Sequence, residues 1–258
     1  MKFYNAFGIK PTNTFTSAGS DYYVPDIKNK KQREVALKAF EKSYGKTTQE
    51  IERLVTLFET LTFEDFGLYD NTVNLVHLFL ATYDPCLEQI KNEKLPEAVL
   101  YFLDNFVVYD ETKNVVGVKL NLNDTLFINS GVKIALDTVL SKHVNTNTAQ
   151  LVNLLRELGI GVAGLYVNKS GKGNAGWDIR ACLVDEDYSG YVHLSMAYTK
   201  DVVEDKQNIV YCGDKLTQMI LIPIFHDSYE DANEDEYKHI MQNSQRGDSG
   251  FGSSDIKH

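Results

Sequence analysis

Hydrophobic positions change their period twice along these 258 residues. Residues 1–26 alternate loosely and carry Thr, Tyr, Phe and Val, a pattern of short strands. Over 31–108 the apolar positions fall three and four apart. Thr47-Thr48-Gln49-Glu50 has the form of a capping box, with Ile51, Leu54, Val55 and Phe58 at helical spacing behind it. Asp70 can cap a second helix bearing Val73, Val76, Phe79 and Leu80. Pro96 suits the first turn of a third, with Leu100, Phe102, Leu103 and Phe106. From Val115 the period returns to two: Val116, Val118 and Leu120 alternate with Gly117, Lys119 and Asn121, and Leu126–Ile128 and Val132–Leu136 follow. A shorter helix is expected at 146–158, capped by Thr146 or Thr148, with Leu151, Leu154, Leu155 and Leu158 on one face and Gly159 ending it. Val162–Val167, Trp177–Val184, Tyr191–Tyr198, Asn208–Cys212 and Met219–Phe225 then read as short strands broken by Gly, Asn, Asp and Ser. That is the spacing of a sandwich or jelly roll. The acidic run 227–237 reads as a solvated linker.

The pattern is therefore mainly β at both ends around a helical middle, α+β overall. Composition narrows the partners. An apolar fraction of 43% supports a real core, while no run of eighteen apolar residues exists, so no membrane partner is expected. A formal charge of −10 argues against duplex nucleic acid, whose phosphates need a basic face. Cys86, Cys182 and Cys212 are odd in number and scattered, which fits free thiols in a reducing cytoplasm. The segment Met1–Ala6 has no signal-peptide h-region, in keeping with that expectation. His77, His143, His193, His226, His239 and His258 show no zinc-ligand spacing.

Five polar segments interrupt the apolar pattern. Ala18-Gly19-Ser20-Asp21 is a small-residue turn ending in a carboxylate. Lys169-Ser170-Gly171-Lys172-Gly173-Asn174 is a surface loop or a cradle for anionic oxygens; it lacks Walker A spacing. Asp185-Glu186-Asp187-Tyr188-Ser189-Gly190 lies between apolar strands, either as a solvated acidic bend or as the place of a general base and a cation. Gly213-Asp214-Lys215-Leu216-Thr217-Gln218 is a turn leading into a strand. The last segment, Arg246 to Ser254, has no apolar periodicity. It is a hydrophilic tail or a cover for a ligand that offers phosphate oxygens and a flat ring, since Arg246 is a planar fork and Phe251 an aromatic face.

In this order the five segments resemble the motifs of the trimeric dUTPase family, the third and fifth most specifically. The resemblance covers residues 1–27, 115–137 and 162–258. It implies a dUTPase-like β jelly roll (clip) formed by 1–27 plus 115–258, with a short helical insertion at 138–161 and a C-terminal arm at about 242–258. Residues 28–114 would be an inserted α-helical subdomain, as in some bacteriophage members. It implies a homotrimer whose sites are shared among subunits, hydrolysis of dUTP to dUMP and pyrophosphate, and a cytoplasmic place, the host cytoplasm if viral. Asp185 would be the general base that activates water against the α-phosphorus. Tyr188 would pack under the deoxyribose and exclude a 2′-hydroxyl. Lys169, Ser170 and Gly171 would face the phosphates, and Gln218 would position water or phosphate. Cys182, Leu183 and Val184 would read the uracil edge. Arg246, Ser253 and Ser254 would take the γ-phosphate, and Phe251, between Gly250 and Gly252, would stack on the base. Mg2+ would bind the triphosphate, with Asp21 helping through water.

The sequence departs from the family pattern at five places. Lys169 and Lys215 stand where arginine is usual, Lys172-Gly173 where Leu-Ala is usual, Cys182 where glycine is usual and Asp255 where the last glycine is usual. Two other readings stand beside the diphosphatase. One is a relative acting on another or modified pyrimidine deoxynucleotide, dCTP deaminase-like enzymes included. The other is a regulator whose nucleotide gates binding of a protein partner, with the helical insertion as docking surface or as a structural elaboration.

Overall fold

The computed structural model describes residues 2–14, 16–44, 56, 78, 101–111, 115–136, 153–201, 207–226 and 231–242. The helices expected behind Thr47 and Asp70 lie almost wholly outside these residues, as do most of 138–161 and the segment Arg246 to Ser254.

Among the described residues, twelve strands form four sheets. β1 (Lys2–Asn5) pairs antiparallel with β6 (Val132–Ala135). β5 (Thr125–Asn129), β10 (His193–Tyr198) and β8 (Trp177–Ile179) make a three-stranded sheet, and β11 (Ile209–Tyr211), β4 (Val115–Lys119) and β3 (Val107–Tyr109) another. The fourth sheet has the order β2 (Ser20–Tyr23), β12 (Lys215–Phe225), β7 (Ile160–Asn168), β9 (Leu183–Val184). The chain divides at Ile224 into a large unit, which holds this whole core, and a smaller unit from Phe225 onward.

Alternation builds the core. Leu126 and Ile128 of β5 and Leu194 and Met196 of β10 turn to one face and are fully buried, as are Val118, Val210 and Leu216 from the other sheets. Each such side chain contributes about 1.5–3 kcal/mol by leaving water. Trp177 meets the Tyr198 ring edge-on at 5.4 Å, and its indole N–H donates to the Gln207 carbonyl at 2.8 Å, so the largest buried side chain leaves no donor unpaired.

The helix Lys30–Tyr44 starts where Asn29 accepts from the Gln32 amide at 3.0 Å while Gln32 accepts from the Lys28 amide at 3.0 Å, a reciprocal cap. Ala36 and Ala39 are its buried small residues. A helical stretch at 101–105 carries Phe102 and Leu103 into the core, and Phe106 follows, as the apolar spacing predicts.

Four expectations need correction. The run Trp177–Val184 is not one strand: Arg180–Cys182 carries the chain from β8 in one sheet to β9 in another. The segment after Lys169 is not a loop but a short helix, Ser170–Asn174. The acidic run is not all linker. Asn233 accepts from the Asp235 and Glu236 amides while Glu236 accepts from the Asn233 amide, and the helix Glu234–Met241 begins there. Acidic residues in a first turn are favoured by the helix dipole, which is why a charged stretch orders as helix. Finally, Gly159 does end the helical stretch 153–157, at φ 68°, but Leu154 and Leu158 are 49% and 62% exposed rather than part of a buried face.

Candidate functional site

Asp21 sits mid-strand in β2, gripped on both sides. Its N–H donates to the Thr12 carbonyl at 2.7 Å and its C=O accepts from the Thr12 amide at 3.2 Å, while across β12 it is the register partner of Gln218. The Thr217 hydroxyl, one residue before, donates to the Val167 carbonyl at 3.1 Å and ties β12 to the end of β7. β7 then delivers Lys169, whose ammonium lies 2.5 Å from Asp21 Oδ1. Lys215, at the start of β12, lies 3.1 Å from Asp21 Oδ2. Three strands thus bring one carboxylate and two ammoniums together. Burial alone would raise the Asp21 carboxyl, but the hydrogen bonds and charges of the two lysines outweigh it and hold it below the usual aspartate value.

Ser170 and Gly171 follow Lys169 as exposed first residues of the short helix, and space beyond Gly171 is open. A groove of about 450 Å³ runs past Lys169, Gly171, Lys172, Tyr211 and Asp214. In it Lys172 meets Asp214 at 2.8 Å and passes over the Trp177 ring at 6.0 Å, while Asp214 also accepts from the Tyr211 amide at 3.2 Å. This second lysine–aspartate pair escaped the site residues chosen from sequence. Its only sequence signal is the Gly213-Asp214 turn, which looks like ordinary turn chemistry.

The other group of site residues sits on β9 and the bend after it. Cys182 and Leu183 are exposed, and the Cys182 carbonyl accepts from the Tyr166 amide at 2.6 Å. Val184 packs partly against the core. Asp185 is exposed and its carbonyl accepts from the Tyr188 amide at 3.2 Å, closing a turn. Since β10 belongs to a different sheet, this turn is a bend between sheets rather than a hairpin. The Tyr188 ring folds back over Gly190 and its hydroxyl donates to the Tyr191 carbonyl at 2.7 Å. A Cβ on Gly190 would stand 2.4 Å from that hydroxyl oxygen, so only glycine admits this pose. Partial burial raises the Tyr188 hydroxyl above the ordinary tyrosine value, which keeps it a donor.

The two groups do not meet within one chain. Val184 faces Gly164 in the β7–β9 register, so Asp185 falls level with Ala163, six residues before Lys169. At about 3.3 Å per residue this is roughly 20 Å along the sheet. The remaining site residues, Arg246, Gly250, Phe251, Gly252, Ser253 and Ser254, lie outside the described residues.

A family model described as dUTPase matches residues 130–255. Over this stretch, just under half of its length, the chain is similar to the dUTPase family. The dUTPase segment holds four of the five polar motifs; Asp21 precedes it. The chain is 30% identical over 74 residues to the deoxyuridine 5'-triphosphate nucleotidohydrolase of Hydrogenobaculum sp. (strain Y04AAS1), a match that spans 29% of this chain and 44% of that relative's length. Among solved structures it is similar to the Staphylococcus bacteriophage 80alpha dUTPase with dUPNHPP, at 17% identity and a TM-score of 0.37, covering 55% of this chain and 86% of that one. It is also similar to a mutant dUTPase of phage phi11 of S. aureus described for its coordination of a structural Mg(II) ion, at 15% identity and a TM-score of 0.30, covering 46% and 83%. The mainly-β fold with few helices is consistent with the dUTPase family model.

The likeness to dUTPases implies magnesium, and the residues can be tested for fit. Both carboxylate oxygens of Asp21 already face ammonium groups. Among the described residues no group of three or more His, Cys, Asp or Glu gathers to hold a metal. The surroundings of Asp21 do not fit a divalent cation.

Proposed function

We propose that this protein hydrolyses dUTP to dUMP and pyrophosphate, with water attacking the α-phosphorus. The observation that carries this reading is the dUTPase-family match over the residues that include Ser170, Asp185, Tyr188, Gln218 and the Arg246–Ser254 segment. In this reading Asp185, exposed and fixed at the start of its bend, takes the proton of the attacking water. A carboxylate of limited basicity works there through aim more than through proton affinity. Tyr188, locked over Gly190, stands under the sugar and leaves no room for a 2′-hydroxyl. The backbone of Cys182, Leu183 and Val184 reads the base edge. Lys169, Ser170 and Gly171 receive the phosphate chain beside Gln218. Arg246, Ser253 and Ser254 take its far end, and Phe251 covers the base.

The separation of roughly 20 Å between Asp185 and Lys169 supports a site completed between chains. We read it as a homotrimer in which the Asp185 bend of one subunit faces the Ser170 segment of another. Residues 28–114 are then an insertion whose ends join the body, through β3 on β4 and through Phe102, Leu103 and Phe106 in the core, and a docking surface for a protein partner is one use for it.

The reading is tested by product analysis with dUTP, dCTP, UTP and dTTP. Equimolar dUMP and pyrophosphate from dUTP alone is the expected result. Asp185→Asn is expected to lower kcat by about 10²–10⁴-fold, the range for a positioned base, with analogue affinity retained. Unchanged turnover in that variant would remove Asp185 from its role.

A further inference from the structure

Asp21 has more cation around it than any role as a metal holder can use. Lys169 approaches one oxygen at 2.5 Å and Lys215 the other at 3.1 Å, so one negative charge stands against two positive ones. A divalent ion within one water of this carboxylate would face both ammoniums in a half-buried setting. There the repulsion is screened less than in bulk water. The carboxylate is also well anchored: its backbone is bonded to Thr12 on one side and lies in register with Gln218 on the other. The lysines are not anchored in the same way. Each has a long flexible stem and a point charge, where an arginine would bring a preorganised planar fork. Lys169 is delivered by the end of β7 next to Ser170, and Lys215 opens β12 with its side chain half in solvent and its ammonium over the Tyr23 ring at 5.7 Å.

We propose that Asp21 is a positioning residue: it holds Lys169 and Lys215 as a fixed pair of cations for the phosphate chain, and it does not hold magnesium. The proposal rests on the reading of this site as a nucleotide triphosphate site. It explains why a chain with lysine at both places keeps a carboxylate between them. An arginine pair could hold its own geometry; a lysine pair needs an anchor.

Two measurements test it, one free of nucleotide. Proton–nitrogen spectra of lysine ammonium groups detect those shielded from exchange with water. Two shielded signals are expected in the wild type, lost in Asp21→Asn and restored in Asp21→Glu. Identical spectra for wild type and Asp21→Asn would overturn the clamp. The second measurement is calorimetric binding of a non-hydrolysable dUTP analogue, with Mg2+ and with a chelator. Asp21→Asn is expected to weaken binding roughly tenfold, as loss of charge-assisted contacts does, and equally in both conditions. In turnover it should raise KM more than it lowers kcat, with the Mg2+ dependence unmoved. Weakening seen only with Mg2+, or a raised Mg2+ requirement, would overturn the proposal. If Asp21→Asn does not fold, Lys215→Met on the solvent side carries the test. It should weaken analogue binding with and without Mg2+, and unchanged affinity in both would count against the pair. A wild type that leaves dUTP intact would sink the diphosphatase reading alone, and the ammonium spectra would still decide the clamp.

Discussion

Cys182 and Cys212 are the same chemical group in opposite settings. Cys182 is exposed at the entry to β9, beside the backbone that would read a base. Burial, with Asp26 and Asp214 nearby, pushes the Cys212 thiol up to about 12, so it carries almost no thiolate at neutral pH. An alkylating agent on the native protein is expected to modify Cys182 and leave Cys212 untouched until unfolding, as peptide mapping would reveal. Early labelling of Cys212 would mean the β11–β12 turn opens in solution. Gly190 is the second residue whose setting decides its chemistry. Gly190→Ala places a methyl carbon against the Tyr188 hydroxyl. The ring must then leave its contact with Tyr191, and with it moves the wall we propose under the sugar. The expected outcome is a smaller preference for dUTP over UTP in kcat/KM, with dUTP turnover itself less affected. An unchanged ratio would place the sugar gate elsewhere.

At the scale of elements, β2, β7 and β12 act as one frame. Their registers bring Asp21, Lys169, Lys215 and Gln218 together although the residues are up to 197 positions apart in the chain. The frame has a pH signature with a definite sign. The Asp21 carboxyl lies below its free value of 3.8 in the folded protein, because the two lysines outweigh burial. A lowered carboxyl contributes stability that is present above the free value and disappears as pH falls through the folded value. The melting-temperature difference between wild type and Asp21→Asn should therefore hold steady near neutrality and shrink in acid below the free value. A difference that grows in acid would contradict the lysine clamp.

At the scale of the molecule, the fold sets the residues of the proposed site at two ends of a sheet. This predicts complementation. Asp185→Asn and Ser170→Ala chains, each inactive alone, should regain activity when assembled together. One kind of site then draws Asp185 from the second variant and Ser170 from the first. Random assembly of equal amounts should restore about a quarter of the wild-type rate, by the statistics of a symmetric ring. No recovery after verified co-assembly would mean that one chain supplies both residues. The mixed-assembly experiment also separates the site from the insertion, since residues 28–114 carry none of the residues exchanged. Among the described residues no helix is long and apolar enough to cross a membrane.

The sequence by itself determined several of the strands, because a period of two survives wherever one face is buried: β5, β6, β7 and β10 fall where alternation or short apolar runs place them, whereas β3 lies inside the stretch 28–114 read as helical. It also determined the order of the polar motifs, since turns need small and polar residues that interrupt those runs. It could not reveal that Trp177–Val184 changes sheets, because sheet membership depends on where neighbouring segments lie; the capped helix in the acidic run, by contrast, had a local signal in Asn233 and Glu236 that the charge of the run masked. Nor could it reveal that Asp21 stands between two lysines. Side chains on opposite ends of a chain acquire a charge environment only when strand register fixes their distance, and register is decided by the packing of the whole core.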